Sequence, residues 1–185
     1  MKSKKKLFTS IKGMTIAAML VAMSVVIGIF CKTYLNFGGG LFRITFENLP
    51  IIVSGILYGP IVGAIVGAAS DLVSYLLSPQ TYPPNLIVTA GAALIGAVSG
   101  IVSRFIIKKK GKRQIILSGA LAHITGSMIV KTIGLYQFYG ILVLWRIPLY
   151  IVIASVEIFI ICLLLERASF RRAVGYVKGE KNELP

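Results

Sequence analysis

Acidic residues are scarce in this sequence: six Asp and Glu stand against twenty Lys and Arg among 185 residues, a formal net charge of +14. Histidine occurs once and cysteine twice. That is too little for a metal-ligand cluster, so no metal and no cofactor is expected. Charge of either sign is thin, at 14% of residues, while 56% are hydrophobic and the mean hydropathy is +0.86. These values exclude an ordinary soluble domain and place the chain among membrane proteins, as one small domain. A phosphate-binding G-x-x-x-x-G-K-[ST] loop is missing, which excludes ATP hydrolysis by that route. Ser127, His123 and Asp71 have the residue types of a hydrolytic triad, but nothing in their spacing supports one, and no catalytic residue is assigned.

The basic residues come in bursts: Lys2, Lys4, Lys5, Lys6 and Lys12; Arg104, Lys108, Lys109, Lys110, Lys112 and Arg113; Arg167, Arg171, Arg172, Lys178 and Lys181. Long apolar runs separate them. This is positive-inside patterning rather than a nucleic-acid surface, so the expected surroundings are a lipid bilayer and no nucleic acid. With all three bursts cytoplasmic, an even number of spans must lie between successive bursts. Residues 49–77 as one helix would run about 44 Å, beyond a hydrocarbon core of about 30 Å, so Gly59-Pro60 is read as a break between two spans. The expectation is an all-α integral membrane protein: six transmembrane helices at about 14–31, 48–58, 60–77, 86–107, 114–134 and 147–165, with N- and C-termini cytoplasmic. The first apolar run is long and no small-x-small site follows it, so it is read as a retained span rather than a cleaved signal. Cys31 and Cys162 then lie toward opposite faces, and no disulfide is expected between them.

Small and polar residues recur every fourth position. Ala18 and Ala22 form a smooth strip on the first span, either packed within the bundle or offered to another helix. Gly59, Gly63, Gly67 and Asp71 share a stripe on the third span, Asn85, Thr89, Ala92 and Gly96 on the fourth, and His123, Ser127 and Lys131 on the fifth. On the sixth, Arg146, Tyr150, Ala154 and Glu157 share a face. In the six-span topology Arg43, Glu47, Asp71, Asn85, Thr89, Lys131, Arg146 and Tyr150 fall in the outer half, with cations in surplus. Burying them is costly unless they pair with one another or with a ligand, and a small anion suits the surplus. Arg43 and Glu47 mark either a binding site or a structural ion pair. Tyr82, Tyr136 and Trp145 are either interfacial belt residues or stacking partners for a flat ligand. His123 and Glu157 lie deeper, where a mutual ion pair competes with ligand contact.

Six short spans, the Ala18/Ala22 strip, a long loop after the first span and a polar outer cavity resemble the substrate-binding S component of an energy-coupling-factor vitamin transporter. The run Arg43-Ile44-Thr45-Phe46-Glu47-Asn48-Leu49-Pro50, followed by Gly55-Ile56-Leu57-Tyr58-Gly59-Pro60 and Gly63, is most similar to the folate-specific branch. The resemblance covers nearly the whole chain, least clearly the tails. It implies capture of folate outside a bacterial cell by a multi-pass protein of the cell membrane, which is not itself an enzyme. It also implies a membrane coupling protein and two cytosolic ATPases as partners, with Ala18 and Ala22 as the docking strip. For folate, Asp71 and Asn85 are candidates to read the pterin edge, and Tyr82, Tyr136 and Trp145 to stack on the ring. Arg43, Lys131 and Arg146 are candidates to hold the carboxylates. Riboflavin, thiamine or biotin is the alternative ligand; a membrane enzyme or a channel is the alternative class.

Overall fold

The computed structural model describes residues 11–37, 42–77, 85–107 and 111–167. Helix α1 spans Ile11–Tyr34 and leads into a two-stranded antiparallel ribbon, β1 (Asn36–Phe37) and β2 (Phe42–Arg43), in which Asn36 faces Arg43 and Phe37 faces Phe42. Then come α2 (Asn48–Tyr58), α3 (Pro60–Leu77) and α4 (Leu86–Ile101), the last running on as a π-helical turn over Val102–Ile106. Helix α5 (Lys112–Ala122) continues without a break through a π-helical segment, His123–Lys131, into α6 (Thr132–Tyr139). A 3-10 turn over Gly140–Trp145 hands the chain to α7 (Arg146–Glu166).

Two glycines make the sharp turns. Gly59 takes φ +95°, a conformation that costs glycine little. Pro60, whose ring pre-sets the first helical φ and whose missing N–H goes unused there, then opens α3. Gly140, at φ +57°, ends α6 in the same way, so the fifth helix runs to Tyr139 rather than stopping near residue 134. Among the described residues four stretches are long and apolar enough to cross a membrane, namely Gly13–Tyr34, Pro60–Leu77, Leu86–Ile106 and Lys112–Glu166, the last containing the turn at Gly140. Helix α2 is shorter, about 16 Å at 1.5 Å per residue. It is almost entirely buried, and Ile51, Ile52 and Val53 are each within 1% of full burial.

Helices α2, α3 and α4 meet backbone to backbone. A Cβ at Gly96 would lie 1.9 Å from the Gly63 carbonyl oxygen, and one at Gly63 would lie 2.3 Å from that of Gly96. Only paired glycines allow this approach, which is how small-residue stripes bring membrane helices together. At the α2–α3 elbow the Arg104 guanidinium donates to the Tyr58 carbonyl, satisfying one of the acceptors left over at the end of α2. Ala17 is buried, whereas Ala18 and Ala22 are exposed on the outer surface of α1. The strip is therefore not internal packing.

Candidate functional site

The ribbon, the start of α2 and the π-helical segment bring three charged groups together. Arg43 Nη2 lies 3.2 Å from Glu47 Oε1, and Lys131 Nζ lies 3.4 Å from the same oxygen. Lys131 also donates to Asn48 Oδ1 at 3.1 Å. Glu47 is fixed from behind: its N–H donates to Thr45 Oγ1 (3.3 Å) and its carbonyl accepts from Ser24 Oγ (2.7 Å). Burial pushes its carboxyl up, but Arg43, Lys131 and Lys32 outweigh that effect and bring it down to about 2. Glu47 lies ahead of the apolar helix α2, so this carboxylate closes the polar end of the bundle as a fixed counter-ion.

Beside the triad is a cavity of about 10 Å³, room for about one water, lined by Ser24, Glu47, Ile51, Ser70, Asp71, Ser74, Ala92 and Lys131. Five helical segments thus contribute to one polar pocket. Asp71 Oδ2 accepts from Thr89 Oγ1 at 2.7 Å, tying α3 to α4. Across the pocket mouth, Lys32 Nζ donates to Ser74 Oγ at 2.8 Å. Gly28 is where α1 closes on this wall: a Cβ there would meet Glu47 Oε2 at 2.9 Å and Ser74 Oγ at 3.3 Å.

The sequence-derived candidates separate into groups. Lys131 and Asp71 line the pocket, and Arg43 joins them through its ion pair with Glu47. Asn85 caps α4, its Oδ1 accepting from Ile87 N–H (2.9 Å) and its Nδ2 donating to the Gly134 carbonyl (2.6 Å); it pins α4 to α6. Arg146, 4% exposed, lies over the Tyr150 ring at 5.5 Å. The structure does not bring Tyr136 and Trp145 into the pocket: they are 54% and 69% exposed. Tyr82 lies outside the described residues. Arg43 Nε and Arg146 Nε are buried N–H groups with no hydrogen-bond partner among the described residues. His123 and Glu157 form a separate, fully buried contact, Nε2 to Oε2 at 2.8 Å, without the alignment of a hydrogen bond.

Sequence reasoning missed the serines. Ser24 follows the Ala-rich stretch of α1, and Ser70 and Ser74 sit one turn apart beside the Gly63/Gly67/Asp71 stripe. The same spacing of four that marked Asp71 could have found them. Glu47 and Lys32 were visible as charges, but nothing in their positions tells which cation pairs with which acid.

The helices thus enclose a polar pocket lined by one buried cation, Lys131, together with Glu47, Asp71 and three serines, inside a tightly packed bundle with apolar stretches long enough to cross a membrane. The family model described as "ECF transporter, substrate-specific component" matches residues 12–176, and the chain belongs to that family. Over 111 residues, 60% of its length, it is 29% identical to the uncharacterized protein MG098 homolog of Mycoplasma pneumoniae; the match spans 20% of that protein. The chain thus corresponds to about a fifth of that relative. Over 123 residues it is 26% identical to the folate transporter FolT of Clostridium novyi, covering 65% of this chain and 68% of that one. A solved structure titled "Crystal structure of FolT bound with folic acid" superimposes with a TM-score of 0.62 at 22% identity, over 92% of this chain and 98% of the other. The shared feature is the fold.

Proposed function

We propose that this chain is the folate-capturing subunit of an energy-coupling-factor importer. The observation that carries the reading is the pair of buried guanidinium N–H groups on Arg43 and Arg146 that have no partner among the described residues. Buried donors of this kind are costly unless something accepts from them, and a dicarboxylate accepts strongly. Folate offers two carboxylates at one end and a flat pterin with an amide-like edge at the other. Asp71 is then the acid that reads the pterin edge, while Arg43, Lys131 and Arg146 supply positive charge for the carboxylates. Asn85 serves as the cap that holds α4 in place. The resemblance to a folate transporter of Clostridium novyi supports folate over riboflavin, thiamine or biotin.

In this reading the protein is a multi-pass component of a bacterial cell membrane. Its six spans, including short α2, place both termini in the cytoplasm. A pocket of about 10 Å³ must widen many-fold to hold folate, because drug-sized ligands fill about 300–1,000 Å³. The loops after the first, third and fifth spans open for entry and close over the ligand. Ala18 and Ala22, exposed on α1, dock on the membrane coupling protein, and two cytosolic ATPases supply the energy.

Calorimetric titration of the detergent-purified chain with folic acid tests the reading. One-to-one binding is expected, weakened at least tenfold by Arg146→Ala, about 1.4 kcal/mol. Heat with another vitamin but none with folate would discard the substrate and keep the transporter. No binding of any vitamin would discard both.

A further inference from the structure

The charges around the pocket do not balance, and their pairing shows where the surplus lies. Glu47 is shared by Arg43 and Lys131, and Asp71 is engaged by Thr89. Lys32 contacts only neutral oxygens: the Ser74 hydroxyl at 2.8 Å and the Ser74 carbonyl at 3.4 Å. Among the described residues no carboxylate lies within 4.0 Å of its ammonium. The residue also occupies a telling place in the fold. Ser24, Gly28 and Lys32 recur every fourth position on α1 and so share a face. Ser24 lines the pocket, Gly28 packs against both the Glu47 carboxylate and Ser74, and Lys32 reaches across to Ser74, itself a pocket-lining residue.

Resting on the folate reading above, we propose that Lys32 and Ser74 form a carboxylate-binding pair that takes one of folate's two carboxylates at the rim of the pocket. The chemistry is suited to it. With one N–H directed at Ser74 Oγ and a second, longer contact to the Ser74 carbonyl, the ammonium keeps one donor free. Ser74 Oγ accepts from Lys32, which orients its own O–H away from the lysine, and that proton is a further donor for the same carboxylate. A carboxylate here meets a cation that no acid contacts directly, although Glu47 lies within its field, whereas at Arg43 and Lys131 it must displace or share a direct ion pair with Glu47. Lys32 therefore determines specificity for the charged tail, and Glu47 is a positioning residue for the other two cations.

The test compares folic acid with its diamide, which has the same skeleton and both carboxylates neutralised, by calorimetry on the purified full chain. Lys32→Met is expected to weaken folic acid at least tenfold while changing the diamide less than twofold. Lys32→Arg should restore most of the loss, and Ser74→Ala should lose several-fold on folic acid alone. Equal losses on both ligands would overturn the assignment, showing that Lys32 only supports the wall, and so would unchanged folic acid binding in Lys32→Met. Should Lys32→Met fail to give a monodisperse protein, Lys32→Gln read against the diamide decides in its place. A wild-type chain that binds neither ligand would overturn the folate reading, and this proposal with it. That result is distinct from a wild type that binds folic acid and a variant that is indifferent to it.

Discussion

At the residue scale, Glu47 is the group on which the polar end of the bundle depends. It is 8% exposed and neutralises two cations at once, one of which, Lys131, is 6% exposed. Removing one partner of a buried charge set leaves the others uncompensated, which costs about 3–5 kcal/mol in a deeply buried pair. Glu47→Gln should fall at the low end, about 3 kcal/mol, because Lys131 keeps Asn48 and Arg43 is partly exposed. A lowered thermal unfolding midpoint in detergent would register it. The same group gives a pH dependence whose sign is fixed. Its carboxyl lies at about 2 in the fold against an ordinary 4.5, so between those values the unfolded chain binds the extra proton. The stability it contributes is complete above about pH 4.5 and is lost as the pH falls toward 2. Unfolding midpoints at pH 6 and pH 3 should therefore drop further in the wild type than in Glu47→Gln. An equal drop would mean that another group titrates in that range. Arg43 and Glu47 were legible as a mouth of charges; of the two alternatives offered by sequence the structural ion pair is present, and Arg43 also keeps a buried N–H without a partner among the described residues. The serine partners were not legible, because a hydroxyl in a helix declares its use only when a second helix is placed against it.

At the scale of elements, the α3–α4 contact carries the strongest constraint. Gly96→Ala would place a methyl 1.9 Å from the Gly63 carbonyl oxygen, a backbone atom that no rotamer change can move aside. Overpacking of this kind costs about 1–3 kcal/mol, and here the helices must separate to relieve it. The expected outcome is a clear loss of thermal stability in Gly96→Ala and almost none in Gly111→Ala, where nothing lies within 4 Å of the added carbon. A Gly96→Ala variant no less stable than Gly111→Ala would show that the two helices part at little cost and that their close approach is not a constraint. The α2–α3 break was legible because a glycine followed by a proline forces it on any helix. Regular periodicity also placed Gly63, Gly67 and Asp71 on one face, and the structure uses that face against α4. The π-helical segments were hidden. His123, Ser127 and Lys131 are four apart, a spacing that fits an α-helix and a π-helix about equally, so the pattern cannot distinguish the wider turn. That turn sets where Lys131 points, and α6 continues past it to Gly140 rather than ending where the hydrophobic run weakens. Trp145 and Arg146 are neighbours in sequence, yet Trp145 is exposed and Arg146 buried, and Tyr150, one helical turn on, is the ring beneath the guanidinium.

At the scale of the whole molecule, the proposed docking strip on α1 is the feature that would separate capture from transport. Its outward residues include Met14, Met19, Met23, Val26 and Phe30, all exposed and apolar, with Ala18 and Ala22 making a shallow strip among them. Lipid satisfies such a surface without any partner, so exposure alone does not demand docking. The strip is what distinguishes the two surroundings: a lipid chain conforms to any side chain, whereas a second helix approaches closely only where side chains are small. The pocket lies on the opposite side of α1, where Ser24 and Gly28 face Glu47 and α3. Replacing Ala18 and Ala22 together with Trp should therefore leave folic acid binding by the purified chain within about twofold of the wild type, since neither side chain reaches the pocket wall. Folate uptake by cells that depend on this chain should fall at least tenfold, about 1.4 kcal/mol of lost association or turnover, because the coupling protein can no longer approach α1. Co-purification of the coupling protein with the double variant, read against the wild type, shows whether uptake failed at assembly. Were binding and uptake to fall together, α1 would be transmitting the change through its buried face, and the strip would have no separate role in docking. Unchanged uptake would move the docking surface to another face of the bundle, with the exposed apolar side of α7, Ile151, Val152, Val156 and Phe159, as the next surface to alter.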